Sequence, residues 1–207
     1  AWVLALALVA LPLVAVVNGW VGGERWPLRT LRVQGELVRV DEAKLRATVL
    51  PHARSGFFAV DLDRIQADVA ALPWVDHAAV RKHWPDVLEV ALSEHQPFAH
   101  WGQDRLLSRK GRLFPAGMER VPPGLPRLDG PVARVPEVVA IYNDARERLA
   151  TAGGVRGVAL DRRGSWSLTL RDGTEVVLGR NDPQARLARF ASLLPRLLAQ
   201  SSGRRLV

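Results

Sequence analysis

Residues 55–101 read SGFFAVDLDRIQADVAALPWVDHAAVRKHWPDVLEVALSEHQPFAHW. Asp61 has the short carboxylate that caps a helix start, and Asp63 puts negative charge into the first turn, where the helix dipole favours it. Leu62, Ile65, Val69 and Leu72 recur at spacings of three and four, which predicts one apolar helix face. Pro73 stops that helix. Trp74–Lys82 predicts a strand, Trp84-Pro85-Asp86 a turn, and Val87–Glu94 a second strand. In the second strand Leu88, Val90 and Leu92 alternate with Glu89 and Ser93, the pattern of a half-buried antiparallel strand. Pro97 is expected to close the unit.

Working outward, Thr30–Gly35 alternates Leu31 and Val33 with Arg32 and Gln34, another short strand. Asp41 is placed to cap a helix carrying Ala43, Leu45, Val49 and Leu50, ending before Pro51. The order is then strand, helix, helix, strand, strand. Two helices on one face of a small sheet bury both apolar stripes.

These residues, in this order, resemble the POTRA domain (polypeptide-transport-associated) of the FtsQ/DivIB family of bacterial cell-division proteins. The resemblance rests on Phe57-Phe58, Val60-Asp61-Leu62, Leu72-Pro73-Trp74-Val75, Ala79-Val80-Arg81, Trp84-Pro85 and Pro97. It continues through Leu106–Phe114, Leu125-Pro126, Trp166–Leu170, Gly179-Arg180 and Arg186–Leu194. The expected fold class is therefore α+β. Residues 1–23 are expected to form a transmembrane helix, 27–96 a POTRA domain (β-α-α-β-β), and 97–207 a second, β-rich domain with flanking helices.

The first charge in the chain is Glu24. The apolar run AWVLALALVALPLVAVVNGW (residues 1–20) is long enough, or nearly so, to cross a ~30 Å hydrocarbon core. Trp2 and Trp20 fall where interfacial rings belong. A cleaved signal peptide is the alternative, but the run exceeds a signal core of ~7–15 residues and no small-residue cleavage site follows it. Arg25, Arg29 and Arg32 would argue for a cytoplasmic bulk. The resemblance implies the reverse, a single-pass inner-membrane protein whose C-terminal part is periplasmic, and that is the orientation expected.

Further along, Arg105–Phe114 carries Lys110-Gly111 between apolar stretches, a hairpin signal. Pro115–Pro136 is Pro/Gly-rich and reads as loop, with a short strand at Leu125–Leu128. Glu137–Ala150 places Val138, Tyr142, Ala145 and Leu149 on one helical side, and Gly153-Gly154 ends it. Val155–Leu160 reads as a strand. Ser165–Gly179 is the clearest hairpin, with Trp166, Leu168 and Leu170 alternating before an Asp172-Gly173 turn. Asn181 or Asp182 then caps a helix with Pro183 in its first turn. Its apolar stripe is Leu187, Phe190, Leu194 and Leu197, and Pro195 is expected to kink or end it. Trp74, Trp84 and Trp166 are expected in core or edge packing, and Trp101 where the two domains meet.

The charge is lopsided. Of a net +8, residues 24–96 hold ten Lys/Arg against eleven Asp/Glu, and residues 97–207 hold nineteen against ten. The only lysines are Lys44, Lys82 and Lys110, so the basic half is almost all Arg, the better partner for carboxylates. The dispersed charges and lack of a nucleic-acid motif place nucleic acid low among partners. With no cysteine, disulfides, thiolate metal sites and a thiol nucleophile are excluded. His52, His77, His83, His95 and His100 fall in no metal-ligand spacing, and no nucleophile elbow or phosphate loop is present. No catalytic residue, cofactor or metal is expected.

The resemblance implies a non-enzymatic scaffold at the division septum. It would hold FtsB and FtsL, contact FtsK and FtsW, and help control the septal peptidoglycan synthase. It implies that FtsB adds a strand to a final strand opening at Arg204, Arg205, Leu206 and Val207, of which most lies past this sequence. Arg186, Arg189 and Leu193 on the preceding helix, and Arg163 before Ser165-Trp166, complete the implied FtsB surface. The alternatives are a POTRA-bearing export or outer-membrane assembly factor, or a membrane-anchored periplasmic enzyme.

Overall fold

The computed structural model describes residues 26–117, 121–151 and 153–202, with side chains in the last helix described as far as Arg196. The expected membrane segment, 1–23, lies outside them. Among the described residues no helix is long and apolar enough to cross a membrane. The chain forms two compact units, Ala1–His95 and Gln96–Val207.

The first unit runs β1 (Thr30–Gln34), α1 (Glu42–Ala53), a single turn α2 (Gly56–Ala59), α3 (Leu62–Ala70), β2 (Val75–His83) and β3 (Val87–Glu94). Both expected caps form. The Asp41 carboxylate accepts from the amides of Ala43 and Lys44, and that of Asp61 from the amide of Arg64. The strands lie in the order β1-β3-β2. β1 is parallel to β3, from Thr30 opposite Val87 to Gln34 opposite Ala91, whereas β2 is antiparallel to β3. Leu45, Val49, Ile65 and Val69 of the helices, and Leu88, Val90 and Leu92 of β3, are buried. Each such side chain contributes roughly 1.5–3 kcal/mol of apolar transfer.

Three local expectations differ. Trp74 does not open β2: it is fully buried with φ 71, a left-handed backbone that directs its ring into the core before the strand begins. Trp84 is exposed in the β2–β3 turn, not packed. Pro51 lies inside α1 but in its last turn, beyond which little of the helix remains to be disturbed.

The second unit contains β4 (Pro97–Trp101), β5 (Arg105–Ser108), β6 (Leu113–Pro115), β7 (Arg127–Asp129), α4 (Val135–Arg148, preceded by a 3-10 turn at Val132–Arg134), β8 (Val155–Leu160), β9 (Trp166–Leu170), β10 (Glu175–Gly179) and α5 (Pro183–Ser202). The seven strands lie in the order β10-β9-β8-β7-β4-β5-β6. α4 supplies Val138, Ile141, Tyr142 and Ala145, and its C-cap Leu149, to a core shared with Leu107, Leu128, Val158, Trp166 and Leu168. The backbone amide of Gly154 donates to the Leu149 carbonyl at 2.9 Å, ending α4 where the glycine pair predicts.

Pro97 starts β4 instead of closing the first unit; at a strand's first position its missing N–H costs no ladder bond. Trp101 packs in the core of the second unit among these residues. Pro195 neither ends nor breaks α5. It is exposed, where water can solvate the carbonyl that a proline leaves without a donor.

Candidate functional site

β10 terminates the seven-stranded sheet, and among the described residues no strand pairs with its outer edge. The β9–β10 ladder shifts register between Val177 and Gly179, so Leu178 is passed over. Its carbonyl is taken by α5: Arg186 Nη1 donates to Leu178 O at 2.8 Å. Gly179 has φ 77, and a Cβ there would stand 2.6 Å from that same Nη1. Glycine is therefore what lets the guanidinium reach the strand end. Asp182 caps α5, its carboxylate accepting from the Ala185 amide at 3.1 Å.

α5 divides cleanly. Leu187 and Leu194 are buried in the core, with Phe190 and Ala191 packed against it. Arg186, Arg189 and Leu193, spaced by three and four, share the adjoining exposed face. Leu193 is 45% exposed.

Arg163 lies in the turn between β8 and β9. The Asp161 carboxylate accepts from the amides of Arg163 and Ser165 at 2.8 and 2.7 Å, which fixes the turn and leaves the Arg163 side chain exposed. Trp166 pairs with Gly179, so this turn stands at the end of the sheet where β10 gives way to α5. The structure thus brings Arg163 and Arg186 to one sheet end, with Arg189 and Leu193 following along α5. Arg204, Arg205, Leu206 and Val207 lie outside the described residues.

Two exposed residues beside this cluster escaped the sequence reading. Val177 is 71% exposed on the edge strand, and Arg196 falls one turn past Leu193 on the exposed side of α5. The alternation of Val176 and Leu178 was the available signal for Val177. At the far end of the hairpin, the backbone and side chain of Thr174 hold the Asp172 carboxyl below its ordinary range.

Three of the five histidines lie beside a carboxylate: His52 Nε2 is 2.8 Å from Asp68, His83 Nε2 3.5 Å from Glu89, and the buried His95 3.3 Å from Asp76. Among the described residues no group of three or more His, Cys, Asp or Glu is placed to hold a metal.

Comparison with known proteins decides the family. The profile "POTRA domain, FtsQ-type" matches residues 26–95, and "Cell division protein FtsQ/DivIB, C-terminal" matches residues 99–206. The chain belongs to the FtsQ/DivIB family. A cell division protein FtsQ of Xanthomonas campestris pv. campestris is 57% identical over 203 residues, spanning 95% of this chain and 71% of that protein. The FtsQ of Hahella chejuensis is 33% identical over 189 residues, 89% of this chain and 68% of its own. That of Escherichia coli is 35% identical over 198 residues, 92% and 72% respectively. The FtsQ/DivIB match to the second half separates this chain from proteins that share only a POTRA fold.

Proposed function

We propose that this division protein is a non-enzymatic scaffold that holds FtsB, and FtsL with it, at the C-terminal side of its second unit. The observation that carries this reading is the conjunction of FtsQ/DivIB membership with a sheet end, β10, that no strand covers among the described residues, flanked by the arginine-bearing face of α5. A strand added on that side would gain main-chain hydrogen bonds for affinity, while Arg163, Arg189 and Leu193 would supply side-chain specificity. Arg186 acts in part through the strand, since its guanidinium is already committed to the Leu178 carbonyl. In the same proposal Arg204, Arg205, Leu206 and Val207 open a further strand on this β10 side, and the partner strand adds beyond it. The apolar N-terminal run would anchor the protein in the inner membrane with both units in the periplasm. Recruitment through FtsK and FtsW, and restraint of the septal synthase until assembly is complete, would follow from that placement.

The test is a titration of the detergent-solubilised full chain with a purified periplasmic FtsB segment. Arg189→Glu, Leu193→Asp, Arg163→Glu and the pair Arg204→Glu with Arg205→Glu are compared with the unaltered chain. Charge reversal at Arg189 or Arg163 should weaken binding at least about fivefold, in a salt-dependent manner. Absence of binding by the unaltered chain would sink the scaffold reading. Binding unmoved by every variant would remove the site from this edge.

A further inference from the structure

A cleft of about 480 Å³ opens in the second unit, lined by His100, Leu125, Arg127, Tyr142, Arg156 and Arg171, among others. A smaller cavity of about 330 Å³ shares Tyr142, Val155 and Arg171 with it and adds Arg146. The two adjoin across these shared residues as one groove beside α4 and the β7–β8 strands. Four arginines line it and no carboxylate does.

What sets the groove apart is convergence: four arginines line one concavity without a carboxylate, whereas Arg46 is paired with Glu42, Arg134 with Glu137, and Arg148 with Asp144 on the same helix as Arg146. Among the described residues, no carboxylate lies within ion-pair distance of Arg127, Arg146, Arg156 or Arg171. One of the four is also held in place. The Arg171 amide donates to the Gly154 carbonyl, and a Cβ on Gly154 would stand 3.0 Å from Arg171 Nε. The guanidinium stem thus lies flat over the glycine at the junction of the two cavities. Like charges around a concave, low-dielectric wall focus the field and raise the local concentration of anions.

We propose that this groove is a second docking site, which takes an extended acidic segment of a partner protein through its Asp and Glu carboxylates. Guanidinium forks match carboxylates in bidentate geometry. The groove is concave, and none of the exposed large apolar side chains lines it, so it offers nothing to insert into a bilayer. Its aromatic residue, Tyr142, is buried in the core and gives no face for base stacking. β7 and β8 are paired on both sides, so recognition here is by side chains and differs in kind from strand addition at β10.

The probe is a fluorescein-labelled hexaglutamate peptide, read by anisotropy against the full chain in neutral detergent, with hexaglutamine as the uncharged control. The double variant Arg156→Glu with Arg171→Glu, and Arg146→Ala alone as the milder change, are set against Arg105→Glu with Arg109→Glu. This last pair makes the same charge change outside the groove. Saturable hexaglutamate binding is expected, falling at least about tenfold in the groove double variant, about threefold in Arg146→Ala, and less than about twofold in the charge-matched control. Equal losses in groove and control variants would reduce the effect to net charge and overturn the proposal. So would displacement of the peptide by equimolar inorganic phosphate, or groove-dependent binding seen only with phosphatidylglycerol vesicles. No division partner enters the assay, so its result stands apart from that of FtsB binding.

Discussion

Glu94 ends β3, and its Oε1 accepts from the backbone amides of Val38, Arg39 and Val40 at 2.8, 2.7 and 2.8 Å. Arg39 lies 3.8 Å from the other carboxylate oxygen and 5.1 Å over the Trp74 ring, itself buried on a left-handed backbone. One carboxylate therefore pins the segment between β1 and α1 to the sheet and orders the cation that covers Trp74. Replacing it strands three amides. Glu94→Ala should destabilise the first unit by about 2–4 kcal/mol and Glu94→Gln by roughly half that, as shifts in the urea midpoint. A change under about 0.5 kcal/mol for Glu94→Ala would mean that water replaces the carboxylate freely. The sequence reading took Glu94 only as the last residue of a strand. Its partners are 54–56 residues distant, so no local pattern carries the contact. Asp41 and Asp61 were readable because a cap and its amides lie within three residues.

On α5, residues of one type have opposite roles according to face. Leu187 is fully buried, whereas Leu193 is 45% exposed beside Arg189. Leu187→Ala should cost about 2–5 kcal/mol of stability, with partner binding lost only through unfolding. Leu193→Ala should leave the melting curve within about 0.5 kcal/mol of the parent and weaken FtsB binding. Equal destabilisation by both would show that the exposed face is held by something else in the molecule. Elements with their own periodicity were legible: α3, α4, the β2–β3 pair and the β9–β10 hairpin all follow from spacing and turn residues. β7 was expected as a short strand at Leu125–Leu128, opening two residues early and ending one short. It is three residues long, Arg127–Asp129, and its parallel pairing with β4 and β8 leaves no turn signal. β4 was hidden behind Pro97, which reads as punctuation until the register shows it starting a strand. In the candidate site, the resemblance pointed to Arg163, Arg186, Arg189 and Leu193. The Arg186–Leu178 bond and the exposure of Val177 needed the three-dimensional register.

Across the whole molecule the charge is segregated, with residues 97–207 carrying nineteen basic against ten acidic side chains. Such an excess repels itself in the compact state and is screened by salt. Raising NaCl from about 0.05 to about 0.5 M should raise the melting temperature of the second unit by about 2–5 °C. An unchanged or falling value in thermal melts would show that local ion pairs outweigh the net charge. The groove arginines are the part of this excess for which sequence gave no address, because β7, α4, β8 and the turn after β9 converge only in the fold. One feature of the first unit bears on force. β1 enters its sheet at Thr30, β3 leaves it at Glu94 toward the second unit, and the two run parallel over five residue pairs. With the N-terminal side anchored and a partner held by the second unit, as proposed above, tension would pull these strands in opposite directions along their length. Their hydrogen bonds would then be loaded together in shear, not peeled apart one by one, so under that proposal the first unit would transmit a pull without unzipping.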